Sequence, residues 1–250
     1  MNVSTETTKK GGIGEAIRVL VQALLIALVI RTFLFQPFNI PSGSMKDTLL
    51  IGDYLFVSKY SYGYSHFSIP FSPRLFSGRI FASEPERGDV VVFRNPKQDN
   101  TDFIKRVIGL PGDRIQMVEG VLHINGEAVK RERIDDFLSD EPGGHRVPIP
   151  RYRETLPNGV IHSELDMIDN GFYDNTKIYV VPAGYYFMMG DNRDNSTDSR
   201  VDSAVGPVPL ENLIGRAEII FFSIEEGKSA WAIWEWPWSV RWDRMFKLVR

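Results

Sequence analysis

Ser44 is the residue whose neighbours best suit it to act as a nucleophile. Pro41 presets the backbone φ angle and Gly43 permits a sharp reversal, so the turn at 40–45 presents the Ser44 hydroxyl on a rigid backbone. The turn directly follows the only strongly apolar segment of the chain. If that segment crosses a membrane, Ser44 is a candidate nucleophile at the bilayer surface. The alternative is an ordinary loop after a helix.

A serine nucleophile needs a base, because its hydroxyl is almost never ionised at neutral pH. The four histidines are scattered and none lies in a motif, which disfavours a Ser-His-Asp triad and leaves lysine as the base. Lys46 lies two residues after Ser44, but the adjacent Asp47 is expected to keep it charged.

Lys105 is the better candidate base. In the predicted strand 103–108 it shares a face with Phe103 and Val107, because side chains alternate along a strand. Apolar surroundings lower the pKa of a lysine, which is what a lysine base requires. The alternative is a lysine that protects the edge of a sheet from aggregation.

The segment 188–200 contains more charged and hydrogen-bonding groups than an ordinary surface turn. One interpretation is a cation site, since Asp194, Ser196 and Asp198 offer alternating oxygen ligands, but the glycine and glutamate of an EF-hand are missing. The favoured interpretation is an internally paired scaffold whose Asp and Arg side chains brace a neighbouring site. A solvated polar loop is the alternative. We predict no metal site and no cofactor.

The composition narrows the class of protein. The chain has 250 residues and a net charge of -3, which gives no reason to expect nucleic-acid binding. It has no cysteine, so disulfides, thiol nucleophiles and cysteine-ligated metals are excluded. It also lacks the His-Glu-x-x-His pattern of zinc peptidases.

A membrane anchor is predicted over 16–36. Twenty helical residues just span a hydrocarbon core of about 30 Å. Lys9, Lys10 and Arg18 favour a cytoplasmic tail over 1–15 and send the rest of the chain across the membrane. A cleaved secretory signal is the alternative, although the phenylalanines at 33, 35 and 38 extend the apolar stretch beyond a usual signal core.

The region between 50 and 225 reads as strands, because short apolar runs alternate with Gly, Pro, Asn and Asp. A hairpin is predicted at Asn125-Gly126 and a turn at Pro111-Gly112-Asp113. The polar stretch 130–175 is weakly patterned and is interpreted as an insertion in the β core. The predicted strands are 53–58, 89–94, 103–108, 114–118, 121–124, 177–181, 185–189 and 217–222.

All five tryptophans of the chain lie within 226–250, beside several cations. This composition is typical of a segment at the membrane interface, where amphipathic rings lie among lipid headgroups. A segment that docks an aromatic face on the core explains the same pattern, and the sequence leaves both open.

The segments 40–49, 52–59, 87–93, 103–113 and 190–200 together resemble, in order, the signature boxes of bacterial type I signal peptidases, with similarity extending over 31–222. The resemblance implies a mostly β, signal-peptidase-like fold preceded by one transmembrane helix. It implies a catalytic β domain over 37–225 with a β-rich insertion at about 119–182, and a serine endopeptidase with a Ser–Lys dyad.

The resemblance also implies roles for individual residues. Ser44 matches the nucleophile and Lys105 the general base, while Ser42 matches the hydroxyl that assists the oxyanion hole. Ser196 matches the residue that orients the lysine. The bracing ion-pair set is Arg106, Asp198 and Arg200. The shallow pockets for small residues before the cut are expected to be lined by Ile40, Met45, Leu49, Phe103, Ile104 and Met188.

The implied partners are preprotein signal peptides with an Ala-x-Ala type site, the lipid bilayer and the secretion translocon. The implied location is the bacterial inner (cytoplasmic) membrane, with a single span and the catalytic domain on the periplasmic side. One departure is Lys46-Asp47, where many members have Met-Pro. The alternatives are another Ser–Lys protease and a non-catalytic, membrane-tethered β scaffold.

Overall fold

The computed structural model of the chain describes residues 12–98, 100–141 and 145–250. The remaining residues lie outside the described part. They include most of the predicted cytoplasmic tail at 1–15 and residues 142–144 of the predicted insertion.

One long apolar helix, α1 (Ile13–Phe33), precedes the rest of the fold. None of its residues is buried, and its 21 residues are long and apolar enough to cross a membrane. It begins three residues before the predicted anchor 16–36 and ends three residues before the end of that range. It ends early because Phe35–Asn39 form a strand, in which Pro37 could not continue a helix.

Most of the regular secondary structure in the described chain after the helix is strand, so the predicted mostly β fold is confirmed. In chain order they are β1 (Phe35–Asn39), β2 (Asp53–Ser58), β3 (Val90–Arg94), β4 (Asp102–Gly109), β5 (Arg114–Val118), β6 (Val121–Ile124), β7 (Glu127–Ala128), β8 (Lys130–Glu141), β9 (His145–Thr155), β10 (Ile161–Leu165), β11 (Tyr179–Val180), β12 (Tyr185–Met189), β13 (Val208–Pro209) and β14 (Leu213–Ser223).

These strands form three antiparallel sheets. A seven-stranded sheet has the order β1-β2-β14-β3-β4-β12-β13, and a four-stranded sheet has the order β11-β5-β6-β7. The third sheet has the order β10-β9-β8 and is dominated by the long hairpin of β8 and β9. This third sheet is called the insertion sheet below.

All eight predicted strands are present. Four match at both ends (53–58, 114–118, 121–124 and 185–189), and the others differ by one to four residues at an end. The Asn125-Gly126 hairpin is also confirmed. Both residues have left-handed backbone, with φ of 58° and 89°, as a two-residue turn of the I′ type requires.

The insertion contains regular strands although its sequence pattern is weak. The stretch 130–175 contains the three strands of the insertion sheet, in agreement with the β-rich insertion expected there. Its strands carry charged residues on both faces, so they lack the alternation of polar and apolar residues that marks a half-buried strand.

Two apolar clusters enclose the strands that carry the candidate site. In one, Ile40 and Met45 of the turn and the nearby Leu49 pack against residues of β2, β3 and β14. In the other cluster, Val107 of β4 packs with Met188 of β12. The turn at 40–45 is therefore held against the sheet by buried side chains on both sides of Ser44.

Candidate active site

The turn that carries Ser44 is a single 3-10 turn, Gly43–Met45. Backbone hydrogen bonds tie it to the sheet at Ile40, whose N–H donates to the Asp53 carbonyl and whose carbonyl accepts from the Gly52 N–H. Ser44 is only 8% exposed. The predicted rigid presentation of its hydroxyl therefore agrees with the structure.

Lys105 reaches the serine from the neighbouring strand β4. Its Nζ lies 2.5 Å from Ser44 Oγ and 2.9 Å from the Ile104 carbonyl oxygen. The Phe103 ring covers it, with the ring centre 5.5 Å from Nζ. The structure thus brings together the serine and the lysine that the sequence singled out.

Burial lowers the pKa of Lys105 to about 8, because desolvation disfavours the charged ammonium. The carboxylates of Asp198 and Asp191 act in the opposite direction, and Arg200 adds to the lowering. A substantial fraction of Lys105 is therefore neutral near pH 8 and able to accept a proton.

Lys46 is directed elsewhere. Its Nζ lies 3.3 Å from Ser139 Oγ in β8. The adjacent Asp47 forms an ion pair with Arg151 of β9 at 3.2 Å. Lys46 and Asp47 therefore both contact the insertion sheet.

The segment 188–200 is an internally paired scaffold, as predicted. Arg200 donates two hydrogen bonds to the Asp198 carboxylate, at 2.9 and 2.8 Å. Ser196 Oγ donates to Asp198 Oδ2 at 2.7 Å, so its hydrogen bond goes to the carboxylate that acts on Lys105 by charge.

Arg106 does not join that pair. It donates two hydrogen bonds to Asp191, at 2.8 and 2.7 Å, and both side chains are fully buried. The expected bracing set of Arg106, Asp198 and Arg200 is therefore two separate ion pairs, each with its own aspartate.

The cation-site interpretation does not match the geometry. Asp198 and Ser196 bind each other, while Asp194 lies with Asp166 and Asp174, their oxygens within 4.8 Å of one another. Asp194 Oδ2 is occupied by the N–H groups of Met167 and Ile168. The three proposed ligands therefore do not gather.

The residues expected to line the substrate pockets fall into two groups. Phe103 and Ile104 are half-buried and available to a ligand. Ser42, which is expected to assist the oxyanion hole instead, is exposed. The others are at most 3% exposed and fill the space behind the turn; they are Ile40, Met45, Leu49 and Met188.

Asn192 was not singled out from the sequence. Its backbone N–H donates to the Ser44 carbonyl at 3.1 Å, and its side-chain Nδ2 donates to the Gly43 carbonyl at 3.0 Å. Its Oδ1 is buried and has no hydrogen-bond partner among the described residues, a cost of about 1–3 kcal/mol. The only sequence signal for Asn192 is its position in the polar segment 188–200.

Glu154 was also missed, because it lies in the weakly patterned insertion. It accepts two hydrogen bonds from Arg193, at 2.9 and 2.5 Å, and both side chains are buried. Leu165 of β10 is bonded on both sides to the same segment, donating to the Asp191 carbonyl and accepting from the Arg193 N–H. The insertion sheet is therefore joined to the segment that contacts Ser44.

Fold and site together define a class of protein: an apolar N-terminal helix, then a mostly β domain in which a buried lysine is hydrogen-bonded to a serine. The family model described as "Signal peptidase, peptidase S26" matches residues 13–222. The chain belongs to this family and is an enzyme, which excludes the non-catalytic scaffold.

The sequence similarity to known relatives covers most of this chain and most of each relative. A signal peptidase I of Rickettsia typhi is 43% identical over 246 residues, covering 90% of this chain and 89% of the relative. One from Rickettsia akari is 47% identical over 208 residues, covering 80% and 76%. A crystal structure of a signal peptidase I from Enterococcus faecalis covers 54% of this chain and 97% of its own, with 24% identity and a TM-score of 0.32.

Proposed function

We propose that this enzyme removes signal peptides from exported preproteins, with Ser44 as the nucleophile and Lys105 as the general base. The observation that carries the proposal is the distance of 2.5 Å between Lys105 Nζ and Ser44 Oγ in a buried site. The lowered pKa of Lys105, about 8, supports it, because a general base must be unprotonated at the working pH.

In the proposed mechanism, neutral Lys105 takes the Ser44 proton while Oγ attacks the scissile carbonyl carbon. The negative charge on the carbonyl oxygen is stabilised by the Ser44 N–H and the Ser42 hydroxyl, and such a donor contributes about 3–4 kcal/mol. Lys105 then protonates the leaving amine, which departs as the new N-terminus. A water, deprotonated by the same lysine, releases the acyl-enzyme.

The preference for small residues before the cut follows from what fills the site. Met45 and Leu49 are fully buried behind the turn, where their side chains limit the depth available to a substrate side chain. The half-buried side chains of Phe103 and Ile104 form a shallow apolar surface beside Lys105. An Ala-x-Ala sequence fits such a surface, because it offers only methyl groups at the first and third positions.

The lipid bilayer is a second proposed partner. Beyond the exposed helix α1, neighbouring aromatic rings, with centres 4.3 to 6.3 Å apart, run across the sheet from the helix end to the C-terminal segment. All are exposed or half-buried. This aromatic stripe consists of Tyr60, Phe35, Phe56, Phe221, Tyr54, Phe222 and Trp236.

Most tryptophans at the end of the stripe are exposed to solvent. Trp231, Trp234, Trp238 and Trp242 are each more than half exposed, whereas Trp236 packs on Phe222. This favours an interfacial role for the segment 226–250 over docking on the core.

With the cations of the N-terminus inside, we propose a single span in the inner membrane of a bacterium. The catalytic domain then lies on the periplasmic side, beside the secretion translocon.

Cleavage of a preprotein with an Ala-x-Ala site by the full chain in detergent tests the dyad. Ser44→Ala and Lys105→Ala are expected to lose processing by at least about a thousandfold, whereas Lys46→Ala retains it within about twofold. Equal activity of Lys105→Ala and wild type, with the fold intact, would make Lys105 a structural residue and reject the mechanism.

A further inference from the structure

Asn192 holds both peptide groups that flank Ser44. Its backbone N–H donates to the Ser44 carbonyl at 3.1 Å, which fixes the peptide group after the serine. Its side-chain Nδ2 donates to the Gly43 carbonyl at 3.0 Å, which fixes the one before. The Gly43 carbonyl and the Ser44 N–H belong to the same peptide group, so the asparagine also sets the direction of that N–H.

We propose that Asn192 is a positioning residue that aims the Ser44 N–H at the oxyanion and strengthens it as a donor. The inference rests on the proposed function, in which this N–H stabilises the charge that develops on the scissile carbonyl oxygen. A hydrogen bond donated to the carbonyl of a peptide group polarises the group and makes its N–H a better donor.

The surroundings of Asn192 suit this role, because they hold the amide in place. The residue is 1% exposed, and both of its neighbours are fixed by buried ion pairs, Asp191 with Arg106 and Arg193 with Glu154. Its Oδ1 has no hydrogen-bond partner among the described residues. The hydrogen bond from Nδ2 to the Gly43 carbonyl therefore sets the orientation of the amide, and this orientation leaves Oδ1 without a partner among the described residues. Donors fixed before the reaction are the ones that stabilise a transition state most.

The substitution Asn192→Asp tests the proposal with little change of shape. It removes the Nδ2 donor and turns an oxygen towards the Gly43 carbonyl. In the full chain acting on an Ala-x-Ala preprotein, kcat is expected to fall about 10- to 100-fold while KM stays within about twofold, because the oxyanion exists only in the transition state. The matched control is Asn195→Asp, the same change at an exposed position three residues on, which retains both constants.

A peptide aldehyde ending in the Ala-x-Ala sequence provides a second measurement. Ser44 Oγ adds to the aldehyde carbon, the carbonyl electron pair moves to its oxygen, and the serine proton passes through Lys105 to that oxygen. The resulting hemiacetal oxygen faces the Ser44 N–H, whereas the matching peptide alcohol forms no such bond. Asn192→Asp is expected to weaken aldehyde binding by about the factor lost in kcat and to leave alcohol binding unchanged.

A second variant, Asn192→Ala, removes the amide without adding a charge and also removes the unpartnered Oδ1. It is expected to fold with an unchanged or higher melting temperature and to show the same loss of kcat. Normal kcat and aldehyde affinity in both variants, or equal weakening of aldehyde and alcohol, would overturn the inference. Failure of the proposed function is separately visible, because Ser44→Ala would then still cleave or the wild type would form no aldehyde adduct.

Discussion

At the scale of single residues, the proposed mechanism makes activity depend on the protonation state of Lys105. Only the neutral amine accepts the serine proton, so kcat/KM is expected to rise with pH along a limb centred near the lowered pKa of about 8. The measurement is the pH profile of cleavage by the full chain between pH 6 and 10. A limb near 6.5 would indicate a histidine and contradict the lysine mechanism.

The lowered pKa of Lys105 also means that this residue reduces the stability of the folded protein. Below pH 8 the lysine is charged in both states, and burying that charge destabilises the folded protein by roughly 3 kcal/mol, a cost that disappears as the pH rises from about 8 to 10.5. Lys105→Met is therefore expected to abolish cleavage and to raise the free energy of unfolding by about 1–3 kcal/mol at pH 6–7.

Thermal unfolding of the full chain in detergent, at pH 6.5 and pH 10, measures this effect. The stabilisation should shrink at the higher pH, and the exposed-site control Lys97→Met should show neither effect. Destabilisation by Lys105→Met at pH 6.5 would mean that the hydrogen bonds of the amine outweigh its desolvation.

Gly190 lies close to Ser196 and to the backbone of Ser44. A methyl group there would meet Ser196 Oγ at 2.2 Å and the Ser44 carbonyl oxygen at 2.5 Å. Gly190→Ala is expected to displace the turn and lower kcat by at least about a hundredfold, because misplacement by about 1 Å has effects of that size. Gly14→Ala, at a glycine with open space around it, is the control and should retain activity.

At the scale of elements, the insertion sheet supports the active site through the Glu154–Arg193 pair. Removing one partner leaves a buried, uncompensated charge, so Glu154→Leu and Arg193→Met are each expected to cost about 3–5 kcal/mol of stability. The double variant should recover part of that loss, since a buried pair can be replaced by apolar side chains.

Urea unfolding of the three variants in one detergent gives the coupling energy of the Glu154–Arg193 pair. Losses that simply add would show that the two side chains do not interact, and that this pair does not couple the insertion sheet to the site.

The elements that could be predicted are those with a local signature. The strand 185–189 is a short run of large apolar residues between Pro, Gly and Asp, and the Asn125-Gly126 turn requires left-handed backbone that these two residues adopt easily. The strand Phe35–Asn39 was hidden, because its phenylalanines continue the apolar run of the helix. The strands β8 and β9 were hidden by charge on both faces.

Within the active site too, residues with a local sequence signature could be predicted and residues that depend on distant contacts could not. Ser44 and Lys105 could be singled out because a rigid turn and an apolar strand face are local features. The pairing of Glu154 with Arg193, 39 residues apart, depends on how two sheets meet. So does the contact of Asn192 with the peptide group of Gly43, 149 residues away. No local pattern encodes such distant contacts.

At the scale of the whole molecule, the aromatic stripe and the exposed tryptophans are expected to face lipid. The chain has no cysteine, so Trp238→Cys can be labelled with a fluorophore at one position in the full chain, in vesicles that contain lipids with quenchers at known depths. Strong quenching is expected at 238, and little at the control Glu127→Cys on the exposed strand β7. Equal, weak quenching at both positions would mean that the C-terminal segment stays in water.

The connection between helix α1 and the sheet is very short. Helix α1 ends at Phe33 and β1 begins at Phe35, and the joint is bonded on both sides, by Tyr64 to the Phe33 carbonyl and by the Lys59 N–H to the Leu34 carbonyl. Ser44 follows nine residues after Phe35, a reach of at most about 30 Å. If the helix spans the bilayer as proposed, the active site is held at a fixed height above the membrane. The enzyme then selects a cleavage site by the height of that site above the membrane as well as by its small side chains.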